Sequence, residues 1–163
     1  MPLYSLDEVI KIRKKLQSEN KKVVFTNGCF EILHKGHVEY LSRARELGDF
    51  LIVAVNSDSS IKLIKGEKRP IIPAEDRAFV IANLKPVDAV FIFEEETPKR
   101  IIDLIIPDVL VKGGDYVIET IVGHKTVLAN GGIVKTIPLT EGKSTSDIFK
   151  LIIERFKDSD NFK

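Results

Sequence analysis

The sequence predicts a doubly wound, Rossmann-like parallel α/β sheet of about five strands, preceded by an N-terminal helix. Three observations lead there. Strand-like and helix-like segments alternate along the whole 163 residues. The strand-like segments are continuous apolar runs rather than strict apolar/polar alternations, as strands covered on both faces require. Hydrophobic residues make up 44% of the chain, ample for one core without a disulfide or metal staple. Residues 1–163 are therefore expected to form a single domain.

The first element is a helix over residues 5–18. Ser5 and Glu8 form an S-x-x-E capping box ahead of Leu6, Val9, Ile10, Ile12 and Leu16, which fall mostly on one face. KKVVFTNG (21–28) is a short β-branched and aromatic run ending in Asn-Gly, a buried strand. Helical periodicity from His37 to Leu47 stops at Gly48. FLIVAVN (50–56) is a strand, and Pro73 opens a helix that reaches Leu84. VDAVFIF (87–93) is a strand, followed by a helix capped by Thr97-Pro98 and running through Ile105. DVLVKGG (108–114) is a strand. A short helix spans Val122 to Ala129, ending at Asn130-Gly131-Gly132. IVKTIPL (133–139) is a strand, and Ser144 to Phe156 is the last helix. The tail at 158–163 is expected to fray.

Composition excludes several classes. Cys29 is the only cysteine, so neither an intrachain disulfide nor a cysteine-built zinc site is possible. A net charge of +1 gives no bulk attraction to nucleic acid or membrane. No apolar run approaches the roughly 18–20 residues of a membrane span. The N-terminal fifteen residues alternate apolar with charged side chains, unlike a signal peptide. A cytoplasmic protein is expected.

In open parallel sheets ligands bind at the carboxyl ends of the strands. That directs attention to residues 26–37, 56–69, 93–98, 112–116 and 140–146. TNGCFEILHKGH (26–37) leaves the first strand and enters a helix, whose start offers unpaired N–H groups and a positive dipole end to phosphate. His34 and His37, three residues apart, lie on one side of that helix start and can donate to one phosphate group. Gly28 and Gly36 permit close approach of backbone and nucleotide. The spacing fits neither G-x-G-x-x-G nor the Walker A pattern. A plainer reading is that one histidine caps the helix while the other is a surface residue. A metal site would need Cys29 and the remote His124 as further ligands, and H-x-x-H matches known zinc spacings poorly.

NSDSSIKLIKGEKRP (56–70) places Lys62, Lys65, Lys68 and Arg69 close together, with Gly66 and Pro70 arguing for a loop rather than a long helix. Such a loop can close over a polyphosphate, or it can be a solvated basic face. VKGGDY (111–116) ends a strand in Gly113-Gly114, which either admits a base or ribose against the backbone or simply makes a tight turn. In GKSTSD (142–147), Ser144 and Asp147 form a variant capping box, and the same helix start can hold phosphates.

Taken together these segments resemble a known family. HKGH (34–37) is similar to the H-x-G-H signature of the nucleotidylyltransferase superfamily, and GKSTSD to its second, Ser/Thr-rich signature. VVFTNGCFEILHKGHVEYL, AVNSDSSIKLIKGEKRPIIPAEDR, PDVLVKGGDY and GGIVKTIPLTEGKSTSDI resemble the adenylyltransferases for D-glycero-β-D-manno-heptose 1-phosphate, which occur alone or fused to a heptose kinase. The likeness runs from about Ser5 to Phe156. It departs at Glu31, where Asp is usual, and at Ser146, where Thr is common.

The resemblance implies a Rossmann-like fold and the reaction of ATP with a sugar 1-phosphate, giving ADP-sugar and pyrophosphate. It implies His34, His37 and Arg77 as the catalytic residues, Arg77 being similar to an arginine that reaches the reaction centre in related cytidylyltransferases. Asn27, Gly28, Cys29, Phe30, Gly36, Lys62, Lys65, Arg69, Lys112, Gly113, Gly114, Asp115, Ser144, Thr145 and Ser146 are implied to bind nucleotide or phosphate. Magnesium is expected to be held mainly by substrate phosphates, with no metal ligand assigned to the chain. A homodimer and a separate upstream kinase are implied as well. The alternatives are a cytidylyltransferase acting on glycerol 3-phosphate or another phospho-alcohol, an adenylyltransferase for a flavin or coenzyme A precursor, and a non-catalytic nucleotide-sensing module.

Overall fold

The computed structural model describes residues 3–138, 140, 142 and 144–156. Its strands are β1 (Val23–Gly28), β2 (Phe50–Asn56), β3 (Ala89–Phe93), β4 (Val109–Gly113) and β5 (Ile133–Ile137). Its helices are α1 (Leu6–Ser18), α2 (Lys35–Arg45), α3 (Asp58–Lys65), α4 (Ala74–Ala82), α5 (Lys99–Ile105), α6 (His124–Ala129) and α7 (Thr145–Phe156), with a single 3-10 turn at Ile118–Thr120.

The five strands are parallel and ordered β3-β2-β1-β4-β5. The chain moves outward from β1 to β3, then returns to the other side of β1 for β4. The sheet therefore changes direction between β1 and β4, and a crevice opens at the carboxyl ends of those two strands. Alternate residues of the strands feed two cores. Phe25, Ile52, Ala54, Phe91 and Leu110 meet Val9, Leu16, Ile101, Ile102 and Val127 on the α1, α5 and α6 face. Val24, Leu51, Val53, Val90 and Val111 meet Tyr40, Leu41, Ala44, Ala78 and Ile81 on the α2 and α4 face. Fully burying one such side chain contributes about 1.5–3 kcal/mol. A surface ion pair such as Lys15–Glu19 contributes roughly 0–1 kcal/mol, so the two cores hold the fold.

Local chemistry sets the ends of the elements. The Ser5 and Glu8 capping box forms as expected, with Glu8 accepting from the Ser5 amide at 2.7 Å. The outer edge of β3 is covered by the N-terminal segment, where the Tyr4 amide donates to the Val90 carbonyl at 2.8 Å. Several predicted boundaries shift. The 56–69 segment is not all loop: Ser57 accepts from the Ser60 amide at 3.1 Å and starts α3. Gly66 ends that helix in a left-handed conformation at φ +94°. The helix predicted from His37 begins two residues earlier, at Lys35. Thr97 does not cap α5; Pro98 occupies the cap with no side-chain bond. The helix predicted from Val122 starts at His124, because Gly123 turns left-handed at φ +88°. Residue 139, the last of the fifth predicted strand, and the 158–163 tail lie outside the described residues. Among the described residues no helix is long and apolar enough to cross a membrane.

Candidate active site

Strand β1 delivers the chain to the crevice at Asn27 and Gly28. Phe30 then adopts φ +47°, a conformation that non-glycine residues seldom take and that clusters at functional sites. The turn folds the Phe30 ring back over Gly28. A Cβ at Gly28 would lie 3.0 Å from that ring, so no larger residue fits without displacing it.

The turn ends at His34, which holds the N-cap position of α2 in extended conformation and makes no side-chain cap bond. One turn on, the His37 ring stacks on His34, with centroids 3.9 Å apart and planes 24° from parallel. The edge of Phe30 closes the other side of His37 at 5.3 Å. Burial, reinforced by the nearby His34 and Lys65, pushes the His37 pKa down to about 4. His37 is therefore neutral at pH 7, with one N–H to donate. Its Nδ1 is buried without a hydrogen-bond partner among the described residues. Gly36, between the two histidines, is buried.

The second helix start is close by. Ser144 accepts from the Asp147 amide at 3.0 Å and donates to the Asp147 carboxylate at 2.7 Å, as the capping pattern predicts. His34, Lys35, Ser144, Asp147, Ile148 and Leu151 line one cavity of about 350 Å³. Thr145 opens α7 beside it, and Ser146 is exposed. A tie not foreseen from sequence holds the two halves together: Glu39 of α2 accepts from Thr140 at 2.5 Å and pairs with Lys35 at 3.2 Å. A larger cavity of about 480 Å³ lies by Leu6, Phe91 and Arg100. It contains none of the predicted site residues, so size does not locate the site.

The predicted cations divide by partner. Glu31, 1% exposed in its side chain, accepts from Arg69 Nε at 2.5 Å, Arg69 Nη2 at 2.6 Å and Lys65 Nζ at 2.8 Å. These bonds outweigh the burial that would raise its pKa and hold it below the usual carboxylate range. Arg69 also lies over the Phe149 ring of α7, at 4.3 Å. Arg77 is buried and donates to the carbonyls of Ile72 at 2.8 Å and Cys29 at 2.6 Å and to Asp58 at 2.8 Å. Those bonds fix the Cys29 turn from behind. Lys62 is exposed on α3.

Lys112 is different. It lies on β4 across the crevice from Asn27, whose side-chain oxygen accepts its ammonium hydrogen bond. No carboxylate pairs with it among the described residues, and burial lowers its pKa to about 8. Gly113 closes β4, and Gly114 turns at φ +114° with its amide on the Ile137 carbonyl at 2.9 Å. Asp115 is exposed beyond it. Cys29 lies between these groups, half-buried, its thiol pKa raised chiefly by burial.

Sequence reasoning marks Glu31 only as a departure from the family pattern, without a role, and misses Asp58. Neither has a partner at helical or strand spacing, so no local pattern marks them. Among the described residues no three His, Cys, Asp or Glu side chains come together as a metal site.

Residues 25–151 match the cytidylyltransferase-like family. The bifunctional protein HldE of Psychromonas ingrahamii is 55% identical over 147 residues, which cover 90% of this chain and 31% of that protein. HldE of Syntrophotalea carbinolica is 47% identical over 153 residues, covering 94% of this chain and 31% of that one. The chain thus spans less than a third of the length of these curated relatives. The crystal structure of a lipopolysaccharide core biosynthesis protein from Thermoplasma volcanium superposes with a TM-score of 0.61 at 27% identity, covering 76% of this chain and 99% of that one. Pantoate-beta-alanine ligase from Francisella tularensis shares the fold at a TM-score of 0.61 and 15% identity, over 100% of this chain and 81% of its own.

Proposed function

The chain belongs to the cytidylyltransferase-like family of nucleotidyltransferases, and from that premise we propose that it transfers AMP from ATP to a sugar 1-phosphate, D-glycero-β-D-manno-heptose 1-phosphate, giving ADP-sugar and pyrophosphate. The observation that carries this reading is the stacked pair His34 and His37 at the start of α2, sharing one side of the site with the start of α7. Two helix N-termini and the His34 imidazole meet at one cavity, with His37 stacked on His34, an arrangement that suits a run of phosphates.

The acceptor phosphate is substantially dianionic near pH 7. Its oxygen attacks the α-phosphorus, the new P–O bond forms, and the bond to pyrophosphate breaks with its electron pair. No general base is required. The chain has to align the two phosphates and place donors where negative charge develops. His37 fits that role as a neutral donor held between His34 and Phe30. Ser144 and the first amides of α7 receive the β and γ phosphates, and Lys112 and Asn27 receive the nucleotide at the crevice. Arg77 acts from behind by fixing the Cys29 turn. Magnesium belongs to the reading as a passenger on the substrate phosphates that neutralises the leaving group. A cytoplasmic homodimer, with the sugar phosphate supplied by a phosphorylating enzyme, completes it.

The test crosses ATP and CTP with heptose 1-phosphate, other sugar 1-phosphates, glycerol 3-phosphate and pantetheine phosphate, reading pyrophosphate release. ATP with heptose 1-phosphate should give the highest kcat/KM. Faster turnover with CTP, or with an alcohol phosphate, would replace the heptose assignment.

A further inference from the structure

Glu31 stands out because it is a carboxylate with a 1% exposed side chain, inside a region built to attract phosphate. An anion at that place weakens phosphate binding unless it does something else. We propose that Glu31 is a positioning residue that fixes Arg69 and Lys65 as a forked receptor for the terminal phosphates of the nucleotide. The identity of that anion rests on the nucleotidyl-transfer reading.

The argument starts from the guanidinium. It has two edges that can each hold an oxyanion with two parallel N–H bonds: the Nε–Nη2 edge and the Nη1–Nη2 edge. Glu31 takes the Nε–Nη2 edge. Among the described residues the Nη1–Nη2 edge has no other partner, and the Arg69 side chain is 26% exposed. Phe149 lies against the face of the guanidinium at 4.3 Å, so its plane is fixed as well as its edge. Phe149 belongs to α7, which begins at Thr145 just after the capping Ser144. The stack therefore sets Arg69 in register with the helix start expected to hold the same phosphates.

Charge points the same way. Among the described residues one carboxylate faces two cations, Lys65 and Arg69, which leaves the cluster a surplus of one positive charge. Lys65, 39% exposed, is near enough to His37 that its charge contributes to lowering the histidine's pKa. The surplus charge thus lies beside the histidine pair. Side-chain length matters too. Glu31 reaches both cations, and Asp, one methylene shorter, would have to give up one of them or move the turn. A bound pair of long cations also loses less rotamer freedom when the phosphate arrives, because Glu31 has already ordered them.

A masking role for Glu31 predicts the opposite sign. If the carboxylate simply competed with phosphate, removing its charge would tighten binding. The decisive measurement is calorimetric titration of the full chain with inorganic pyrophosphate, for wild type, Glu31→Gln, Arg69→Ala and the double variant. Glu31→Gln should weaken binding about tenfold, as expected for losing charge-assisted bonds that hold a ligand group in place. Arg69→Ala should weaken it at least as much. The double variant should lose less than the sum of the two single losses, since Glu31 acts through Arg69 as well as through Lys65. In turnover, nucleotide KM should rise by more than kcat falls. Arg69→Lys, which keeps the charge and loses the fork, should also weaken pyrophosphate, and it keeps the test open if Glu31→Gln does not fold. Unchanged or tighter binding in Glu31→Gln, additive losses in the double variant, or full affinity in Arg69→Lys overturns the proposal. Pyrophosphate binding needs neither acceptor nor chemistry. A chain that turns over no nucleotide would sink the proposed function and leave this test standing.

Discussion

The two halves of the site supply hydrogen-bond donors to phosphate by opposite means. The histidine half carries little charge: His37 is neutral at pH 7 and is held by ring contacts with His34 and Phe30. The cationic half is built on carboxylates: Lys65 and Arg69 share Glu31, and Arg77 has Asp58. Among the described residues Lys112, at the crevice, has only an amide oxygen. The difference teaches where each group can act. A neutral donor costs little to bury and suits the reacting phosphorus, where its bond strengthens as charge develops. A matched cation is held in place at rest. A half-buried cation without a carboxylate is the one that gains most from an incoming anion.

The largest expected effect breaks the histidine half. His34→Ala or His37→Ala should lower kcat by about 10²–10³ while raising the ATP dissociation constant far less, as for loss of a donor used mainly in the transition state. Rapid-quench turnover at saturating substrate, on folded protein, reads this. Unchanged kcat in both variants would falsify the histidine assignment. The next effect falls on the matched cations. Arg77→Ala strands the Cys29 and Ile72 carbonyls and unpairs Asp58. It should destabilise the fold by about 2–3 kcal/mol, chiefly through the stranded carbonyls, seen as a lower urea midpoint. Loss of activity without loss of stability would move Arg77 from support to the reaction centre.

A smaller effect falls on Lys112. Lys112→Met should leave the melting temperature equal or higher, because it removes a half-buried charge that has no carboxylate among the described residues. Nucleotide KM should nonetheless rise about tenfold. A melting temperature that falls as far as in Arg77→Ala would show Lys112 to be paired like the others. The smallest effect at neutral pH is electrostatic. His37 titrates near 6.5 when unfolded and about 4 when folded. The unfolded chain then binds the extra proton between those values, so stability is fully present above pH 6.5 and falls as pH drops toward 4. Thermal melts from pH 4 to 7 should show that slope, and His37→Asn should flatten it. Activity should persist above pH 7, since His37 is already in its working form.

Much of the fold follows from short-range pattern. FLIVAVN predicts β2 residue for residue, because a strand buried on both faces leaves an unbroken apolar run. The caps at Ser5 and Ser144 follow from residues three apart. The same reach brings His34 and His37 together. α3 escapes because its eight residues give little more than two turns of periodicity, with four cations around them. The Glu31 clasp escapes for a different reason. Its partners lie 34 and 38 residues away, and only the β1–β2–α3 layout brings them within bonding distance. In the sequence, Lys65 and Arg69 belong to a basic run that fits a lid and a solvated face equally well. Their counter-charge distinguishes the two, and it is not a neighbour in sequence.

Helix α7 buries none of its residues, and Leu151, Ile152, Ile153 and Phe156 are exposed. Its ties to the rest include the Arg69–Phe149 stack and the lining it shares with His34. Such an element opens on its own, well below the free energy of global unfolding. Its amides should exchange with deuterated water long before those of β1 or β2. A ligand that bridges the α7 start and the histidines would slow that exchange without altering the strands, so occupancy of the site becomes visible as isotope retention in one helix, with no turnover required.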